Sequence, residues 1–471
     1  MPTIAELIRA LPGEGEPAAA LPQPLAAASM RPVPVGRLRR MGLLGTLQAK
    51  IAAAYLFYWV RGYFRGAQEK EKLLAETHWR TALRMLDSMG YLKGAIMKIG
   101  QMLGNLPEIV PSEFVETLDE LHYTAPPMHW SLLSEMVHNE LGNDPENLFA
   151  SFERRACAAA SLGQVHRARL RTGEDVVVKI QYPGIARTIG EDFRNLSLFL
   201  LPGRLGKDWD NVKSQMDDLR LRLEKEADYE AEAAMLTRAR PLFREADGIL
   251  VPRVYPELST ARILTMDRIP GVHLEEFLQR KPSQEQRNEA GRQLLRAWYR
   301  LFFAGRLFYA DFHPGNFLFL EDGRLGLLDF GFMLPLDPEL WQLLYRMDRA
   351  LTTGRREDLA TAVKEWSWIT EDPSDADRLR LSVEYADWCW SARYCGGEFD
   401  FGDEADFVRG AALFGEMAGK RYSRSRPCTA TVSRQQFGCR SMLYRLKAKI
   451  DVRAVCEEEI KAADWDRRSY T

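Results

Sequence analysis

The 471-residue sequence predicts an α+β chain of two lobes, hairpins first and helices after, with a helical extension in front. Three observations carry this prediction. Strand-like runs at 164–170 and 175–180 flank Thr172-Gly173, and runs at 250–255 and 261–267 flank residues 257–259, so two hairpins are expected. From Ser283 the apolar period lengthens to that of a helix through Leu294, Leu295, Trp298, Leu301 and Phe302, with Gln286 completing a capping box. In front, Leu74, Ala82, Met85, Met89, Leu92, Ile96, Ile99 and Leu103 share one helical face.

Taken in order, residues 1–40 are rich in Ala and Pro and are expected to form a flexible leader. They lack a charged segment followed by an apolar core, and Glu6, Glu14 and Glu16 argue against a transit peptide, so a cytoplasmic location is expected. Residues 41–150 form the helical extension. Its first stretch, 41–60, repeats Leu43, Leu44, Leu47, Ile51, Tyr55 and Tyr58 between flanking arginines. Such a basic amphipathic helix either lies at the inner surface of a membrane or packs on its own domain.

No run of eighteen apolar residues offers a spanning helix. Lys plus Arg (64) balances Asp plus Glu (66), which gives no electrostatic footprint for nucleic acid. The six cysteines form no C-x-x-C pair and read as reduced structural thiols.

Residues 151–268 should form the first lobe. Ala158, Ala159, Ala160 and Ser161 precede its first long strand as a run of small residues whose backbone N–H groups can approach a phosphate, though alanine is stiffer than glycine. Lys179 ends a Val-Val-Val run, where its ammonium could pair with phosphates or simply be exposed. A charge-dense helical segment over 210–240 carries Glu224, Glu226, Asp228, Glu230 and Glu232, among which spacing does not choose a partner for that lysine. The run ending at Asp267 and Ile269 would present backbone groups to a flat base.

Residues 269–471 should form the helical lobe, interrupted by a hairpin over 317–320 and 325–328 with acids at both ends. Asp311 lies five residues before Asn316, and Asn316 thirteen before Asp329-Phe330-Gly331. Asn316 and Asp329 offer the hard oxygens that Mg²⁺ takes one or two at a time, while Asp311 could orient or deprotonate a nucleophile. The spacing is similar to that of the catalytic and metal loops of protein kinases. Pro338-Glu339 follows Asp329 by only nine residues, a short interval in which to build a platform for a protein substrate. Residues 340–471 read as helices with aromatic clusters and no evident chemistry.

Five motifs then occur in one order: K-x-G-Q at 98–101, A-A-A-S-x-G-Q-V-H-x-A at 158–168, E-x-D-Y at 226–229, D-x-H-P-G-N at 311–316 and D-F-G at 329–331. Together they resemble the UbiB/AarF family of atypical protein-kinase-like proteins over roughly residues 70–345. The resemblance implies a bilobal protein-kinase-like fold with a family-specific helical N-terminal extension. It makes Lys179 the nucleotide lysine, Glu232 its helix partner, Asn316 and Asp329 the Mg²⁺ ligands and Asp311 the catalytic position. Glu226 and Asp228 would face Lys98 and Gln101 on a helix that folds over the site and keeps proteins out. It further implies ATP as substrate, partners among isoprenoid lipids, membrane surfaces and lipid-biosynthesis proteins, and a role in ubiquinone-like metabolism. A kinase acting on a small molecule or protein, and a nucleotide-gated scaffold without chemistry, are the competing expectations. No pair of apolar C-terminal helices of the kind some members carry is present.

Overall fold

The structure, a computed structural model, describes residues 130–160, 162–182, 220, 224–353, 356–367, 369, 375–419 and 429–463. The leader, the residue 41–60 helix and the K-x-G-Q stretch with Lys98 and Gln101 lie outside these, as does Ser161. Two compact units divide the described chain: residues 130–144, 153–166, 179–182 and 220–227 fall in one, and 145–152, 167–178 and those from 228 onward in the other.

The first unit opens with helix α1 (Trp130–Leu141), which buries Leu133, Met136 and Val137. Without regard to that division, five strands form one sheet, β1 (Ser151–Phe152), β2 (Ala158–Ala160), β3 (Gly163–Arg169), β4 (Asp175–Gln181) and later β6, in the order β1-β3-β4-β6 with β2 also on β3. The long strands alternate as a half-buried sheet should, with Val176, Val178 and Ile180 fully enclosed and Lys179 on the partly exposed face. Gln181 ends β4 by donating its side-chain amide to the Ala227 carbonyl at 2.8 Å, which ties the strand to the segment bearing Glu226.

In the second unit α2 (Tyr229–Ala239) precedes β5 (Ile249–Leu250), β6 (Ile263–Asp267), α3 (Leu274–Gln279) and α4 (Gln284–Phe303). The expected hairpin of 250–255 with 261–267 forms only in part. β5 leaves to pair parallel with β9, and one antiparallel bridge, Val254 to Met266, remains of the hairpin. Pro252 and Pro256 explain this, because neither can donate to a ladder. At Ser283 the capping box forms as expected, with the serine oxygen accepting from Gln286 N–H and the Gln286 side chain accepting from Ser283 N–H.

β7 (Leu307–Tyr309), β8 (Phe317–Phe319), β9 (Leu325–Leu327) and β10 (Met333–Pro335) come next, followed by α5 (Pro338–Thr353), α6 (Arg356–Ser367), α7 (Ala376–Tyr394), β11 (Phe399–Asp400), α8 (Glu404–Gly419), α9 (Thr429–Leu446), β12 (Lys449–Ile450) and α10 (Val452–Ala462). The core gathers around α4, whose Leu294, Leu295, Ala297, Trp298 and Leu301 are buried and which packs along α10. Arg300 of α4 is held bidentately by Glu459 of α10 at 2.7 and 2.8 Å and by Asp247 on its other side, a buried three-residue ion network.

Candidate active site

Two strand pairings assemble the site. β7 pairs antiparallel with β10, Tyr309 opposite Met333, and the Ala310 N–H donates to the Phe332 carbonyl at 3.2 Å. That register sets the residues after β7, beginning with Asp311, beside those before β10, Asp329 to Gly331. β8 pairs with β9, Phe317 opposite Leu327, and the Leu328 N–H donates to the Asn316 carbonyl at 3.0 Å. The hairpin thus returns the chain to Asn316 one residue before Asp329. Gly323, at φ +85°, makes its turn in a conformation that side chains disfavour.

Between the strands Asp311 and Asn316 are joined directly. The Asn316 side-chain nitrogen donates to the Asp311 carbonyl at 2.9 Å and to its carboxylate Oδ2 at 3.0 Å. His313 caps the short turn between them, its Nδ1 accepting from Gly315 N–H at 3.1 Å. Tyr309, Phe312, Phe317 and Phe330 hold the loop from inside, with ring centroids 4.8 to 6.1 Å apart. Asp329 accepts the Gly331 N–H at 2.9 Å. A Cβ on Gly331 would lie 3.2 Å from Asp329 Oδ1 and 3.8 Å from Glu232 Oε2, so the third residue of D-F-G sits between two carboxylates.

Of the acids over 224–232, Glu232 is buried and lies near Gly331 of the D-F-G turn. It stands in the first turn of α2, which Asp228 caps by accepting the Ala231 N–H at 3.0 Å. The exposed Asp228 thus serves its own helix; its expected counterparts Lys98 and Gln101 lie outside the described residues. Beneath the carboxylates lies the Tyr309 phenol. Burial raises its pKa well above the ordinary value, the charges of Asp329, Asp311 and Glu232 push the same way, and the Asn316 side chain opposes them. Sequence reasoning missed Tyr309, whose only signal was its place in an apolar strand two residues before Asp311.

Among the described residues no three His, Cys, Asp or Glu side chains gather into a cage for a metal. The donor set is instead one amide and one carboxylate, and it fits Mg²⁺, which keeps most of its shell for phosphate oxygens and water. The Asn316 nitrogen is committed to Asp311, so its amide oxygen is the atom offered to a cation.

In the first unit the alanine run is a hairpin. Ala158, Ala159 and Ala160 pair with Val165, Gln164 and Gly163. A Cβ on Gly163 would meet the Ile180 carbonyl oxygen at 2.1 Å, so this glycine lets the hairpin lie against the strand that carries Lys179. The Tyr182 N–H donates to the Leu162 carbonyl at 2.9 Å and holds it there. In the second unit the Asp267 N–H donates to the Arg253 carbonyl at 3.0 Å, and its carboxylate accepts from Arg253 N–H and the Tyr255 hydroxyl. Asp267 can therefore present a carbonyl, but not an N–H, to a ligand.

A family model described as the ABC1 atypical kinase-like domain matches residues 120–363. The chain is 28% identical over 435 residues to the atypical kinase COQ8B, mitochondrial, of Danio rerio, covering 90% of this chain and 69% of the relative. It is 29% identical over 286 residues to the AarF domain-containing protein kinase 1 of Xenopus tropicalis, covering 60% and 54%. It thus spans between half and about two-thirds of the length of these relatives. Among solved structures, a Mycobacterium tuberculosis protein in complex with erythromycin superposes with a TM-score of 0.55 at 27% identity, over 83% of this chain and 98% of that one.

Proposed function

The chain belongs to the ABC1 atypical kinase-like family, and from that premise we propose that it is a Mg-ATP-dependent ATPase or phosphotransferase supporting isoprenoid-lipid metabolism of the ubiquinone kind. The observation that carries the proposal is the junction of Asp311 with Asn316 beside Asp329 and Glu232. Asn316 and Asp329 would hold Mg²⁺, which when bound neutralises charge on the transferring phosphoryl group. Asp311, held through Asn316, orients water or an acceptor hydroxyl and takes its proton. By the family resemblance, Lys179 is assigned the phosphates, Glu232 the role of its helix partner and residues 158–161 that of the phosphate cover. The Asp267 carbonyl and the Ile269 N–H receive the adenine.

The short interval after Asp329 supports a non-protein acceptor. Residues 333–335 are bound into the β7–β10 pair at once, and α5 begins at Pro338. The K-x-G-Q stretch, with Glu226 and Asp228 as its counterpart, would add a cover over the site. Among the described residues no helix is long and apolar enough to cross a membrane; residues 41–65, basic and amphipathic in sequence, are the proposed lipid contact.

ATP hydrolysis measured with and without liposomes carrying a prenylated phenol tests the proposal. Turnover that rises several-fold with the phenol is expected. Nucleotide binding with no turnover in either condition would favour the scaffold reading, and transfer of γ-phosphate to a small acceptor or protein, lost in Asp311→Asn, would favour a kinase.

A further inference from the structure

The loop that carries Asp311 rests on a helix far along the chain. A Cβ on Gly438 of α9 would lie 2.4 Å from the carbonyl oxygen of Phe312, the residue after Asp311, and 3.5 Å from its Cβ. Three residues earlier on the same face, Gln435 is completely buried, and neither its Nε2 nor its Oε1 has a hydrogen-bond partner. Two enclosed amide atoms without partners cost stability, so this side chain is poorly explained as packing.

The far side of α9 is clamped. Arg440 is buried, its Nη2 lies 2.5 Å from Asp406 Oδ2 on α8, and its guanidinium stands over Trp388, Phe399 and Phe401 at 4.7 to 5.1 Å. The Tyr385 hydroxyl of α7 donates to the Ser433 carbonyl at 2.9 Å. A helix fixed from behind cannot retreat when the loop presses on it.

We propose that the Gln435–Gly438 face of α9 is the positioning surface of the catalytic loop. Gly438 sets how far the Phe312 backbone, and with it Asp311, can withdraw. The Gln435 amide hydrogen-bonds the loop in the geometry taken around bound Mg-ATP. This rests on the reading of Asp311 as the reactive-site aspartate, and it gives the C-terminal helices a part in the chemistry.

Three variants of the full chain test it by ATP-hydrolysis kinetics, thermal unfolding and amide hydrogen exchange over residues 310–317. Gly438→Ala should lower kcat about ten- to a hundredfold, the loss expected from misplacing a reacting group by about 1 Å, while KM for ATP changes by less than about threefold. Its Tm should fall only modestly, because the helix propensity that alanine adds offsets part of the cost of overpacking, and exchange over 310–317 should quicken. Gln435→Met should raise Tm and lower kcat together, the opposite of what loss of a structural contact does. Gly415→Ala on α8, where a Cβ meets nothing within 4 Å, should change none of these.

The proposal is overturned if Gly438→Ala keeps wild-type kcat and loop exchange, or if Gln435→Met lowers Tm and leaves kcat alone. Should Gly438→Ala fail to fold, the Gln435→Met result decides. Absence of turnover in the wild-type protein would sink the proposed function instead. Loop exchange would then decide this proposal, faster exchange in Gly438→Ala supporting it and unchanged exchange in both variants rejecting it.

Discussion

Asn316 donates its side-chain amide to both the carbonyl and the carboxylate of Asp311, at 2.9 and 3.0 Å. The residue expected to bind the cation and the residue expected to move the proton are thus one mechanical unit. Asn316→Ala removes a metal oxygen and releases Asp311 together. We expect the Mg²⁺ concentration for half-maximal nucleotide stabilisation to rise, and turnover to fall, each by roughly tenfold or more, since a single fixed donor is worth about that in charge-stabilising sites. A Mg²⁺ titration of nucleotide-dependent Tm checks the first, and an unshifted titration would remove Asn316 from the metal.

Gly163→Ala tests the hairpin against the lysine strand. The new Cβ would fall 2.1 Å from the Ile180 oxygen and 2.9 Å from Gln181 Cα, both backbone, so the strand itself must move. Overpacking of this kind costs about 1–3 kcal/mol. The urea midpoint should drop accordingly and KM for ATP should rise; an unchanged midpoint would contradict the close approach.

Ala159→Gly acts on the same hairpin without a clash. Extra backbone freedom between Ala158 and Ala160 should loosen the phosphate cover and alter nucleotide affinity or preference. Competition between ATP and ADP for binding reads it directly. An unchanged nucleotide profile would count against this stretch as the cover.

Glu459→Ala addresses stability apart from chemistry. Glu459 is 3% exposed and faces both Arg300 and Arg296. Removing one partner of a buried pair costs about 3–5 kcal/mol, and the remaining Asp247 contact of Arg300 should keep the loss near the lower figure. Denaturant midpoints measure this, while turnover per folded molecule should stay at the wild-type value.

Local chemistry was legible in the sequence wherever neighbours in the chain determine it. The Ser283–Gln286 box, the turn at Gly323 and the hairpin between Asn316 and Asp329 read correctly because each is made by residues a few positions apart or across one turn. Choosing Glu232 from five acids needed the family resemblance, because what distinguishes it, its burial beside Gly331 99 residues away, is not written in its own neighbours. Gly163 carried only its place in the 158–168 motif and Gly438 no signal at all, since what makes each necessary is a carbonyl from a distant element pressing on it. Residues 250–255 misled because their apolar pattern outweighed Pro252 and Pro256 in a reading by period alone.

The central claim is that Asn316 and Asp329 hold a cation that makes ATP reactive in this site. Steady-state ATP hydrolysis across a Mg²⁺ titration, wild type beside Asp329→Asn with both shown to be folded, tests it most directly. The account predicts Mg²⁺-dependent turnover in the wild type and none above background in Asp329→Asn. Turnover that persists in the variant with the same Mg²⁺ dependence would contradict it.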